Sequence, residues 1–134
     1  MKKTIDASDQ ILGRLSSTIA KSLMNGDEII IINSEKAIVT GEPKMIMEKY
    51  KTKVDRGDPF HGPHYPKTPE GMVKRSIRGM IPYKKSKGRE AMKRFKAYRK
   101  NPKELKGEKI EKNRDQIECR FMTLGEISDK LRGL

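Results

Sequence analysis

The chain has 134 residues, with 31 Lys plus Arg against 18 Asp plus Glu, a formal charge of +13 at pH 7. Eleven Gly and a single Cys exclude a collagen-like or disulfide-framed class. The longest apolar run, Ile29 to Ile32, falls far short of the roughly 20 residues that span a bilayer.

Thr4-Ile5-Asp6-Ala7 reads as a short strand running into the turn-prone Ser8-Asp9. Asp6 suits a strand end and Asp9 a helix cap. Ile11, Leu12, Leu15, Ile19 and Leu23 recur on one face of an amphipathic helix, which Asn25-Gly26 stops. The run Ile29 to Ile32 lacks alternation and suits a strand covered on both faces, as in a parallel sheet. Strand, helix and strand within about 30 residues predict a right-handed βαβ unit.

Ala37-Ile38-Val39 fits either a short strand or a helical turn. Pro43 opens the next helix, with Ile46, Tyr50 and Val54 on its apolar side and Lys44, Lys49, Lys51 and Lys53 over the rest. Four prolines from Pro59 to Pro69 then impose an extended connector. Thr68 and Pro69 look like the cap and first residue of a helix. It places Val73, Ile77 and Met80 on one side, has Lys74, Arg75 and Arg78 on another, and ends at Pro82. Ser86 is the candidate cap of a short helix through Arg94, and Phe95 to Arg99 reads as a core strand. Residues 103–116 form a polar excursion. Thr123 to Glu126 has capping-box spacing before a last helix with Leu124, Ile127 and Leu131 inside.

The charge is not spread along this plan. Residues 1–43 carry a net −1, residues 44–66 a net +2 and residues 104–134 none, whereas residues 67–103 hold 14 bases and 2 acids. Concentrated like charge repels itself and calls for a polyanion, of which a nucleic-acid backbone is the commonest. A membrane surface would require bulky apolar anchors, and there is no Trp and only 3 Phe, so no membrane partner is expected.

Catalytic chemistry finds little material. Neither phosphate-loop glycine pattern occurs, so no nucleotide cofactor or small-molecule substrate is predicted. His61 and His64 have ligand-like spacing, but only the remote Cys119 could join them, so no metal site is expected. Cys119 alternates with Ile117 and Phe121 and reads as a buried thiol. A lone cysteine, with no apolar stretch after Met1-Lys2-Lys3, predicts a cytoplasmic protein without a signal peptide. RNA binding has better support: Tyr65, Tyr83, Phe95 and Tyr98 lie among the basic residues as candidate stacking surfaces, with Phe95 the first choice for core. His61, His64 and Tyr65 sit in a Pro/Gly-rich segment suited to ordering against folded RNA.

Arg78-Gly79-Met80-Ile81-Pro82, then Lys87-Gly88-Arg89, then Phe95-Lys96-Ala97-Tyr98 resemble the signature blocks of the large-subunit ribosomal protein L13 family. Ile5-Asp6-Ala7, Gly13-Arg14-Leu15, Ala20-Lys21, Ile32 to Lys36, Thr40-Gly41 and Glu48-Lys49-Tyr50 extend the similarity over the front half. Gly62 to Pro66 and Thr123 to Ser128 resemble the archaeal branch rather than the bacterial one. The resemblance implies one domain over residues 1–134, with an α/β fold around a small, mainly parallel sheet flanked by helices in three layers. A basic extension over about 60–103 and a C-terminal excursion and helix over 104–134 complete it. It also implies a non-enzymatic partner of large-subunit ribosomal RNA and neighbouring ribosomal proteins, supporting assembly and translation. Carried over by position, Arg78, Lys87, Arg89 and Lys96 face RNA, as does Arg14; Lys74, Arg75, Lys84, Lys85, Lys93 and Arg94 join them by charge clustering alone. A free-standing regulatory RNA-binding protein is the alternative.

Overall fold

A computed structural model describes residues 2–56, 65–101, 104–107 and 120–133. Strand β1 (Lys2–Asp6), helix α1 (Leu12–Met24) and strand β2 (Glu28–Ile32) form the expected βαβ unit. β1 and β2 pair in parallel, with Ile5 opposite Ile31 and Lys3 opposite Ile29. Strand β4 (Phe95–Ala97) pairs in parallel on the other side, with Ile29 opposite Phe95, giving the order β1-β2-β4.

Alternation along the strands decides what each sheet face does. Ile5, Ile29, Ile31 and Phe95 point to one face and are buried with Leu15, Ile19 and Leu23 of α1. Helix α3 (Pro69–Arg78) packs beside α1 and adds Met72, Val73 and Ile77 to this core. Helix α4 (Ser86–Lys93) touches both α1 and β4. On the opposite face Ile32 is also buried, but Ile30 is only half-buried and lines a hollow with Lys2, Glu28, Lys93 and Lys96. The apolar run is therefore covered more fully on one face than on the other.

The ambiguous 37–39 segment resolves into a 3-10 turn at Ser34–Lys36 and strand β3 (Ile38–Thr40). Its partner is β5 (Phe121–Thr123), running antiparallel with Thr40 opposite Phe121. Helices α2 (Pro43–Asp55) and α5 (Leu124–Leu131) pack against each other beside this pair. The hydroxyl of Thr123 accepts the Glu126 N–H at 3.2 Å, and that of Thr68 accepts the Gly71 N–H at 3.3 Å, so both predicted caps are present.

Four local expectations need correction. Asp9 does not cap α1: its φ is 61°, and Ile11 occupies the cap position without a side-chain bond. Ser86 is the first residue of α4, and Lys85 holds the cap position, again without a side-chain bond. Helix α3 ends at Arg78 with Gly79 as its cap, well before Pro82. Met80 consequently leaves the helical face predicted for it and is 47% exposed, while Met72 fills the core instead. Asp6 does have the structural role expected, accepting the Ser8 N–H at 2.9 Å and the Asn33 side-chain amide at 3.2 Å.

Arg94 ties α1 to the sheet. Its Nη2 donates to the Leu23 carbonyl at 2.7 Å, placing a cation on the carbonyl end of that helix. Replacing Arg94 with Met should lower unfolding free energy in urea by about 1.5–3 kcal/mol, the usual worth of a hydrogen bond to a charged group. The exposed neighbour Lys93, changed to Met, should stay within about 0.5 kcal/mol; equal losses would deny Arg94 this role.

Candidate nucleic-acid interface

The basic segment is built on a tightly constrained turn. After Arg78 the chain runs through turns from Gly79 to Lys84 before α4 begins. Buried Ile81 anchors this stretch. Its amides bond locally: Ile81 N–H donates to the Arg78 carbonyl at 3.3 Å, and Lys85 N–H to the Pro82 carbonyl at 3.0 Å. Gly88 is buried in the first turns of α4, and a Cβ there would collide with the Pro82 carbonyl. Only glycine allows the helix to press this closely on the loop backbone. The Arg78 guanidinium lies 4.2 Å from the centre of the Tyr83 ring, a cation–π contact that holds both side chains. Lys84, Lys85, Lys87 and Arg89 are all exposed on this short, fixed scaffold.

The remaining predicted residues do not share one surface. Lys74 and Lys96 line a hollow with Thr68, Glu70, Phe95 and Tyr98. Lys96 also lines a hollow with Lys2, Glu28, Lys93 and Arg94 around the half-buried Ile30, so β4 connects two hollows in which cations outnumber acids. Arg14 is exposed on the first turn of α1. Arg94 is half-buried and bonded to Leu23, which sets it apart from the solvent-facing cations. Arg75, one residue from Lys74, instead lines a different hollow with Tyr65.

That hollow lies between α2, α3 and the start of α1, with a volume of about 600 Å³. Tyr50 and Tyr65 form one wall, their ring centres 6.0 Å apart and their planes 63° from parallel. Lys53 Nζ sits 5.0 Å from the Tyr50 ring centre and 5.3 Å from that of Tyr65. Arg75 approaches the Tyr65 ring at 6.0 Å. Burial, reinforced by the charges of Lys49 and Arg56, pulls the Lys53 ammonium below its ordinary pKa. Burial, with Tyr65 beside it, pushes the Tyr50 hydroxyl up to about 12. Lys49, Lys53 and Arg56 were absent from the sequence-derived candidates. Lys49 and Lys53 share one face of α2 at i, i+4, which was the available signal, whereas Arg56 is the extended residue that caps the helix.

The aromatic side chains are less available for stacking than their spacing suggests. Phe95 is 4% exposed and belongs to the core, as anticipated. Tyr83 gives a ring face to Arg78, and Tyr65 is engaged by Tyr50, Lys53 and Arg75. Tyr98 is half-buried, and its carbonyl accepts the Ser34 hydroxyl at 2.9 Å. His61, His64 and Cys119 lie outside the described residues. Among the described residues no three His, Cys, Asp or Glu side chains gather as metal ligands. No described helix is long and apolar enough to cross a membrane.

Comparison with known proteins places these observations in a family context. Residues 2–104 match the family model described as Ribosomal protein L13. The chain is 46% identical over 130 residues to the large ribosomal subunit protein uL13 of Archaeoglobus fulgidus, covering 92% of this chain and 83% of that one. It is 46% identical over 135 residues to the same-named protein of Thermoplasma volcanium, covering 98% and 99% of the two chains. With that of Haloarcula marismortui it shares 42% over 129 residues, covering 95% and 88%.

The contact at Gly88 has a direct consequence for stability. Gly88→Ala should destabilise the protein by about 1–3 kcal/mol, because backbone rather than a flexible side chain blocks the added methyl. At Gly79 the φ is −65° and the nearest atom to an added Cβ is 3.6 Å away, so Gly79→Ala should be tolerated. Thermal melts of the two variants check this, and equal melting temperatures would show that the loop yields.

Proposed function

We infer the function from one premise: the chain belongs to the ribosomal protein L13 family, and to its archaeal-type branch. It is a structural component of the large ribosomal subunit and not an enzyme. Its partners are the RNA and the neighbouring proteins of that subunit, in the cytoplasmic ribosome. The alternative of a free-standing regulatory RNA-binding protein is not favoured by relatives that are all named as subunit proteins.

The rRNA contact runs through the turn and helix from Arg78 to Arg89 and the adjoining edge of β4. What carries this reading is the constrained scaffold beneath the exposed cations. A loop already held in shape loses less conformational entropy on binding than a mobile basic tail. Lys84, Lys85, Lys87 and Arg89 present the charge, Arg78 contributes from its place over Tyr83, and Lys74, Lys93 and Lys96 extend the surface. With Tyr65, Tyr83 and Phe95 engaged within the protein, recognition leans on phosphate positions and RNA shape more than on base stacking. His61 and His64 precede Tyr65 in sequence and are proposed as further contacts.

The protein should cosediment with large subunits through a moderate-salt gradient. Recovery only in free fractions would contradict the reading. Replacing Arg78 and Arg89 together with Ala should flatten the dependence of log affinity for large-subunit rRNA on log salt by roughly 1–2 units. An unchanged slope would take those two side chains off the phosphates.

A further inference from the structure

We propose that the hollow between α2, α3 and the start of α1 is a second anion site, which holds a backbone phosphate of the same RNA. It rests on the rRNA-binding reading above, but draws three of its four cations from outside the 67–103 segment that carries most of the charge.

Four cations converge there: Lys49 and Lys53 from α2, Arg56 from the extended residue that caps it, and Arg75 from α3. Among the described residues no Asp or Glu lines the hollow, and none of the four side chains forms an ion pair. That combination is costly in the isolated protein. Like charges repel more strongly as the surroundings become less polar, and Lys53 is half-buried between two rings. An arriving anion relieves the repulsion of all four at once.

The chemistry of the lining selects the kind of anion. A single carboxylate has two oxygens and one charge, and one Arg or Lys satisfies it. Several cations approaching from different elements suit a phosphate, whose oxygens accept from several directions. Arg56 and Arg75 bring planar forks, whereas Lys49 and Lys53 act as point charges. The Tyr50–Tyr65 wall keeps Lys53 in place beforehand, so its position does not have to be created by the ligand. The volume of about 600 Å³ lies within the range of about 300–1,000 Å³ that small-ligand pockets occupy, enough for a phosphate and its sugar.

The test uses the full chain and purified large-subunit rRNA. Lys49 and Arg56 are exposed, so Lys49→Gln with Arg56→Gln removes two charges without touching the core. That double variant should bind roughly tenfold more weakly at about 0.1 M salt, with a salt slope smaller by about 1–2 units. The charge-conserving pair, Lys49→Arg with Arg56→Lys, should keep the wild-type slope. Wild-type binding with an unchanged slope in the Gln variant would overturn this site alone. Failure of the wild-type chain to bind rRNA would overturn the functional reading on which it rests. A parallel titration with inorganic phosphate and with adenosine monophosphate, followed by NMR at Tyr65, separates the phosphate's sources. No saturation is expected below about 1 mM, and saturation there would assign the hollow to a free phosphate compound instead.

Discussion

Everything in this structure hangs on β2. It is the middle strand of the three-stranded sheet, paired in parallel with β1 on one side and β4 on the other. Ile29 and Ile31 are fully buried beneath the helices, so the strand cannot shift register by one residue without turning both toward the opposite face. That fixed register positions Phe95 opposite Ile29 and, through Phe95, the helix and loop that precede it. The most basic part of the chain is thus not an appendage. It is threaded into the sheet, with Phe95 and Ala91 in the core and the cations of α4 and β4 outside.

This arrangement explains how a concentrated charge coexists with folding. Lys and Arg side chains at 84, 85, 87, 89, 93 and 96 all project into solvent, where high dielectric and salt weaken their mutual repulsion. The interior beneath them is almost wholly apolar, with Ile77, Ile81, Ala91 and Phe95 buried. The α2–α3 hollow is different, because there the cations are brought together around partly buried aromatic rings. Two electrostatic regimes therefore operate in one small protein: dispersed charge on a supported loop, and converging charge at a recess.

Much of the fold was legible because its signals are local. The helical spacing of Leu15, Ile19 and Leu23, the caps at Thr68 and Thr123, and the isoleucine run of β2 each specify an element within a few residues. Less was legible where a distant partner decides the outcome. Ile38–Thr40 is too short to declare itself, and it becomes a strand by pairing with Phe121–Thr123. The early end of α3 was similarly hidden, since Gly79 closes the helix while the Pro82 carbonyl is needed as a surface for Gly88. The charged stretch at residues 74–96 is visible from the sequence composition alone. Arg94 could not be separated from its neighbours that way, because its bond to Leu23 crosses 71 positions of sequence. Lys53 and its companions were readable in spacing, but their convergence with Arg75 depends on how α2 and α3 are packed.

The pairing of β3 with β5 also affects the order of events during synthesis. Thr40 meets Phe121 only after about eighty further residues have been made. At roughly 5–20 residues per second, β3 waits about 4–16 seconds for its partner on a translating ribosome. The βαβ unit formed by β1, α1 and β2 needs no such delay, because its contacts lie within the first 32 residues. Nascent chains should therefore acquire the sheet's first pair early, with α2 and α5 docking as a late, separate step. During that interval the apolar side chains of Ile38 and Ile46 have no finished core around them. A protein whose mature site is crowded with cations would then spend its longest unfinished stage beside RNA, where its charge discourages aggregation but invites premature binding.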